Sequence, residues 1–115
     1  MRDFFAFPKD FMQQIAFKMY LKPGCKDEYK KRHDALWPEL EKLLKDSGIH
    51  EYSIFLDEET HTLFAMQRVD GSGTSQDLGQ TSVVQRWWAY MADIMETNPD
   101  LSPVSKPLQE VFYLP

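Results

Sequence analysis

The chain reads as an α+β domain with element order βαββαβ, and three observations carry that reading. Two long segments, 26–46 and 82–96, place apolar residues at helical spacing. Four shorter ones, 14–21, 50–57, 61–69 and 108–114, are apolar or alternate with the two-residue period of a strand. Breakers stand between them: Pro23-Gly24, Ser47-Gly48, the glycine-rich 71–82 and the proline-punctuated 98–107. Each crossover helix must return to the same sheet with a right-handed sense. The expected product is a ferredoxin-like layer of two helices on a four-stranded antiparallel sheet.

Taken in order, QIAFKMYL (14–21) is a partly alternating apolar run stopped by Pro23-Gly24. KDEYKKRHDALWPELEKLLKD (26–46) begins with Asp27 and Glu28, which suit the positive end of a helix dipole. Tyr29, His33, Leu36, Leu40 and Leu43 form one stripe along it. Pro38 lies inside that stripe and predicts a kink or a division into two helices. HEYSIFLD (50–57) puts Tyr52, Ile54 and Leu56 on one face, and HTLFAMQRV (61–69) returns as the other arm of a hairpin. Segment 71–82 predicts a loop with at most a weak helical turn. Helical spacing resumes through Val84, Trp87, Trp88, Met91, Ile94 and Met95, and LQEVFYL (108–114) predicts a last strand.

At 115 residues the chain accommodates one domain with its own core, here residues 14–115 behind an aromatic N-terminal arm at 1–13. A net charge of −5 argues against a nucleic-acid partner. Cys25 is the single cysteine, so an internal disulfide and a cysteine metal set are both excluded. Pro8, Lys9 and Asp10 interrupt the arm too early for a secretory core, and no run approaches the ~20 apolar residues of a membrane span. A cytoplasmic protein without a membrane partner is the expectation.

Tyr29 and His33 share one helix face, four residues apart, on the stripe that carries the buried leucines. They therefore point inward at the N-terminal end of the helix. An ordinary core histidine with its own hydrogen-bond partner is the commoner outcome for a lone inward imidazole. Trp87 and Trp88 project about 100° apart, so one can cover the sheet while the other walls a cavity or meets a partner chain. For this pair, plain packing and a pocket wall stand equally open. Tyr52 brings a buried ring whose hydroxyl needs an acceptor from the protein or a ligand. Arg86 is more commonly solvated than paired. A proton carrier, hydroxyls and flat apolar walls are the parts with which a small enzyme holds a sugar and moves protons on it.

Other chemistries find little support. His33, His50 and His61 share no ligand spacing, so no metal is expected. His50 and His61 flank the hairpin and are expected to be exposed. No serine stands in a nucleophile elbow, GSG (71–73) is too short for a phosphate loop, and nothing marks Cys25 as activated.

Four segments together resemble the L-rhamnose mutarotases: DEYKKRHDALWPEL (27–40), YSIFLD with LFAM (52–57 and 63–66), VQRWWAYMADIM with NPDLSPV (84–104), and LQEVFYLP (108–115). The resemblance runs from about residue 17 to the end, and the combination of YxxxH, RWW and EVFYLP is specific. It implies a homodimeric α/β barrel of two ferredoxin-like sheets that interconverts the anomers of L-rhamnose without a cofactor. It implies His33 as general acid, and Tyr29, Tyr52, Trp87 and Trp88 as sugar contacts. Asp93 and Asp100 become candidates to orient His33. The arm (1–13) is longer, and segment 71–82 richer in glycine and serine, than the family pattern.

Dimerisation has its own motive, since helices on one face of a sheet leave the other open. Phe55, Phe64, Met66 and Phe112 offer apolar surface there. Two rivals use the same parts: a small α/β-barrel monooxygenase acting on an aromatic substrate, and a non-catalytic sugar-binding domain.

Overall fold

The structure, a computed structural model, describes residues 12–71 and 73–115, so the arm at 1–13 lies outside the described residues except for Met12 and Gln13. Along the chain come β1 (Gln13–Tyr20), α1 (Lys26–Asp34), α2 (Pro38–Asp46), β2 (Ile49–Asp57) and β3 (Thr62–Val69). A one-turn 3₁₀ helix (Ser75–Asp77), α3 (Ser82–Met91) and β4 (Lys106–Leu108) follow. The strands form one sheet in the order β2-β3-β1-β4, and every pairing is antiparallel. The fold is a small α+β arrangement of four strands and three α-helices among the described residues.

Pro38 divides the long helix. A residue before proline is driven out of the helical region, and Trp37 accordingly sits at φ −61° and ψ 129°. Pro38 then starts α2 at its first turn, where its missing N–H costs nothing. Gly48, at φ +84°, closes the helix, and a side chain there would run into the Asp70 carboxylate.

Phe17 and Met19 of β1 and Leu63, Ala65 and Val69 of β3 are buried on one sheet face beneath Leu40, Val83, Val84, Trp87 and Met91 of the helices. β2 carries a bulge between His50 and Ser53, with Glu51 at φ +48°. The extra residue resets the side-chain alternation. As a result Ile49 joins Tyr52, Ile54 and Leu56 in lining one cavity, although strict alternation separates position 49 from 52.

The last helix and the last strand depart from the sequence expectation. The helical spacing of Ile94 and Met95 predicts a helix to residue 96, but α3 stops at Met91. Beyond it the backbone pairs with the end of β1: Lys22 N–H donates to the Ile94 carbonyl at 2.9 Å and Glu96 N–H to the Tyr20 carbonyl at 3.0 Å. Both side chains are buried by this bridge as well as a helix would bury them, so periodicity does not separate the two outcomes. The strand expected over 108–114 is likewise cut to Lys106–Leu108, paired with Lys18, Phe17 and Ala16. A strand needs an edge to pair with, and residues 109–115 find none among the described residues. Val111 is left 90% exposed and Phe112 76% exposed.

Candidate active site

A cavity of about 1090 Å³ lies between the helices and the covered sheet face, slightly above the ~300–1,000 Å³ of ordinary small-molecule pockets. Its lining includes all five sequence candidates: Tyr29, His33, Tyr52, Trp87 and Trp88. α1 supplies Tyr29 and His33, one turn apart, β2 supplies Tyr52, and α3 supplies the tryptophans.

His33 is gripped on two sides. The Tyr29 ring stacks on the imidazole with centroids 4.3 Å apart, and Trp87 meets it edge-on at 5.4 Å. Nδ1 lies 3.0 Å from the Tyr29 carbonyl oxygen, which can only accept. Nδ1 therefore carries the proton of the neutral ring, and Nε2 is left with a free lone pair. Burial lowers the His33 pKa from its usual 6.5, against smaller upward effects of that carbonyl and of Asp34. The neutral ring thus prevails near pH 7.

The phenols move the other way. Burial raises the Tyr29 pKa far above its usual value, with a further push from the Tyr52 phenol. Burial also raises that of Tyr52, opposed in part by a hydrogen bond from Ser75. Both hydroxyls therefore stay protonated at any working pH and act as neutral hydrogen-bonding groups, not as bases.

The two tryptophans divide their tasks. Trp87 is buried in an aromatic cluster, 5.0 Å from Trp37 and 5.6 Å from Tyr90. Trp88 is half-buried, and its ring lies so close to Gly79 that a Cβ there would sit 2.5 Å from the indole. One tryptophan thus backs His33 while the other forms a wall propped by the loop.

Neither aspartate considered for orienting His33 does so. Asp93 accepts from Arg32 at 2.9 and 3.2 Å, and Asp100 caps the Ser102 N–H at 3.0 Å. The Tyr29 carbonyl takes that role, a main-chain partner that residue identity does not reveal. Arg86 pairs with Glu39 at 3.2 Å, away from the cavity lining. His50, expected to be exposed, is half-buried on the cavity wall and bonded to Asp70 at 3.1 Å, while His61 is half-buried in the hairpin turn.

Sequence reasoning missed the loop. Ser75 and Gln76 line the cavity, and Ser75 is buried against Gln67 of β3. The signal was present in Thr74-Ser-Gln-Asp77, a capping box in which Thr74 and Asp77 satisfy each other's backbone N–H groups and fix a turn.

Comparison with known proteins agrees with this arrangement. A family model described as L-rhamnose mutarotase matches residues 14–114. An L-rhamnose mutarotase of Formosa agariphila is 63% identical over 103 residues, covering 90% of this chain and 99% of that protein. Proteins of the same name from Bacteroides thetaiotaomicron and Listeria monocytogenes are 62% and 53% identical over the same coverage. A crystal structure of an L-rhamnose mutarotase from Formosa agariphila superposes with a TM-score of 0.83 at 60% identity, covering 90% of this chain and 99% of that one. A Pseudomonas aeruginosa crystal structure, 11% identical with a TM-score of 0.53, covers 88% of this chain and 94% of its own and shares the fold alone.

Proposed function

The chain belongs to the L-rhamnose mutarotase family, and from that premise we propose how its cavity works and how its chains assemble. It is an isomerase that interconverts the anomers of L-rhamnose. Ring opening moves one proton from the anomeric hydroxyl to the ring oxygen, and closure on the other face of the carbonyl reverses this. The observation that carries the proposal is the His33 Nδ1 bond to the Tyr29 carbonyl, which leaves Nε2 the free nitrogen of a cavity-lining imidazole.

His33 is the catalytic residue and the donor to the ring oxygen. Because its resting form is neutral, Nε2 first takes the anomeric proton, and the resulting imidazolium is acidic enough to give it up to the ring oxygen. One imidazole then serves both halves of the transfer. The phenols are held protonated, so Tyr29 and Tyr52 bind sugar oxygens without competing as bases. Trp87 and Trp88 pack on the apolar face of the sugar and its 6-deoxy methyl group. No cofactor enters this scheme.

The test is magnetisation transfer between the anomeric protons of L-rhamnose. Wild-type protein should speed exchange, and His33→Ala should slow it by about 10²–10⁴-fold while leaving the fold intact. Wild-type exchange in that variant removes His33 from the mechanism.

Residues 14–115 act as one ferredoxin-like domain in the cytoplasm, and two copies pair as a dimeric α/β barrel. Two observations support pairing. The sheet face opposite the helices carries Phe55, 59% exposed, beside half-buried Phe64 and Met66. The tail from Val111 to Leu114 carries apolar side chains that are exposed in the single chain.

A further inference from the structure

The proton transfer leaves His33 charged between its two halves, and that charge needs a partner. The anomeric O–H gives its proton to Nε2, so an imidazolium faces an anomeric alkoxide. The alkoxide electron pair then forms the carbonyl, the bond from the anomeric carbon to the ring oxygen breaks, and the imidazolium proton passes to that oxygen. Burial works against the charged ring and pushes the His33 pKa below 6.5. Among the described residues no carboxylate is bonded to the imidazole, whose hydrogen bond goes to the Tyr29 carbonyl. The three carboxylates of the cavity lining have cations of their own: Asp34 lies 3.0 Å from Lys30, Glu41 2.8 Å from Lys45 and Glu51 4.0 Å from Arg68. Arg86 of α3 is paired with Glu39, and Asp93 with Arg32. Of these groups only Asp34 acts on His33, and with its side chain 63% exposed it is blunted by water and by Lys30.

What remains beside the imidazole is aromatic. The Tyr29 ring is stacked on it, with centroids 4.3 Å apart and planes 29° from parallel, so the imidazole lies over the face of the phenol. Trp87 stands perpendicular to it at 5.4 Å and is itself backed by Trp37 at 5.0 Å. The face of an aromatic ring carries the negative part of its quadrupole and attracts a cation within ~6 Å of the ring centre. We infer that the Tyr29 ring face is the electrostatic partner of protonated His33, in the place a carboxylate would otherwise take, which makes Tyr29 a positioning residue of the proton transfer as well as a sugar contact. The arrangement suits a shuttle. An anion against the imidazole would hold the proton, whereas a neutral π face steadies the charge weakly enough for the ring oxygen to take it. Burial keeps the phenol protonated, so the face presented is that of a neutral ring.

This inference rests on the mutarotase reading, and the experiment separates the two. In the full chain, Tyr29 is replaced by phenylalanine and by singly, doubly and triply ring-fluorinated phenylalanine, which keep the ring but drain negative charge from its face. Tyr29→Phe is the reference, because it removes the hydroxyl that binds the sugar and keeps the face. The His33 pKa is read in sugar-free protein from the imidazole proton resonances. Anomer exchange of L-rhamnose is read by magnetisation transfer over a range of sugar concentrations. Across the fluorinated series kcat should fall stepwise below the reference, by about 2- to 30-fold in all, the worth of one cation–π contact. The His33 pKa should fall with it, while KM stays at the reference value. A ring that merely packed would move neither in step with the fluorines. A His33 pKa or a kcat that ignores fluorination overturns the proposal. Should the fluorinated chains not fold, Tyr29→Leu fills the space without a π face and must lower the His33 pKa below that of Tyr29→Phe; equal values overturn the proposal. Absence of exchange in the wild type would instead sink the mutarotase reading, and the pKa trend would still decide the contact.

Discussion

The Nδ1 atom of His33 lies 3.0 Å from the carbonyl oxygen of Tyr29, the residue one helical turn before it. That bond chooses the tautomer, and the stacked Tyr29 ring, 4.3 Å away, fixes the plane of the imidazole. Tyr29 thus orients the proton carrier through its main chain as well as through its ring. The pair is adjacent along one helix, so its geometry is built by α1 alone and requires no tertiary contact to form.

The pH dependence follows from the direction of the His33 shift. Its folded pKa is below 6.5, so exchange that depends on the neutral ring should hold at pH 7 and fall as pH drops through the lowered value. Stability follows the same sign. Between the lowered value and 6.5 the unfolded chain binds more protons, so the contribution is complete above 6.5 and is lost as pH falls through that window. Denaturant unfolding of wild type and His33→Gln from pH 7.5 to 5 checks this. The variant should show a flatter profile, and parallel profiles would contradict the assignment.

The Trp88 wall depends on the absence of a side chain at position 79. A Cβ on Gly79 would sit 2.5 and 2.9 Å from two indole carbons, so either the ring or the loop must move. Gly79→Ala should therefore raise KM for the sugar and cost about 1–3 kcal/mol of stability, the usual range for overpacking. A crystal structure of the variant would show the indole rotated or the loop displaced. An unmoved ring with wild-type KM would refute the link.

Arg32 joins the two helices that carry the site. Its guanidinium binds Glu28 at 2.7 Å, both oxygens of Asp93, and the Tyr90 carbonyl at 2.6 Å, and it lies 4.5 Å over the Tyr90 ring. The side chain is 10% exposed, which sets this ion pair apart from the exposed lysine pairs on α1 and α2. Lysine keeps the charge but not the planar fork. Arg32→Lys should lower the unfolding midpoint by about 5 °C and reduce kcat/KM, whereas Lys42→Ala, which loses an exposed ion pair with Asp46, should leave both unchanged. Equal effects of the two substitutions would refute the clamp.

What was legible in the sequence was whatever a single element decides. Tyr29 and His33 sit on the leucine stripe of one helix, and Tyr52 shares an alternating face with Ile54 and Leu56, so their inward direction needed no tertiary knowledge. The misreadings arose where distant segments compete for the same residues. Ile94 and Met95 satisfy helical spacing, but the end of β1 offers unpaired backbone groups that bind this stretch instead. Ile49 entered the cavity lining through a bulge, which shifts the alternation by one and leaves no mark in composition. The roles of Ser75 and Gly79 depend on Gln67 and Trp88, partners on other elements that local sequence does not point to. A loop that looked merely polar therefore proved to be a cavity wall.

The last expectation concerns the segment that did not become a strand. The apolar run Val111-Phe112-Tyr113-Leu114 within 108–114 predicts a strand, yet β4 ends at Leu108 and the rest of the tail lies exposed. An exposed run containing Val111, Phe112 and Leu114 is costly in water and is stabilised only when another surface covers it. The sheet face of a second copy opposite its helices, with exposed Phe55 beside half-buried Phe64 and Met66, has the matching chemistry. Sedimentation of the full chain at micromolar concentration should give about twice the chain mass of 13.5 kDa. Deleting residues 109–115 should shift the protein to monomer while His33, Tyr29 and Trp87, all on helices of one chain, keep their mutual geometry. A monomeric full chain, or a truncated chain that remains dimeric, would show that the tail is not what joins the copies.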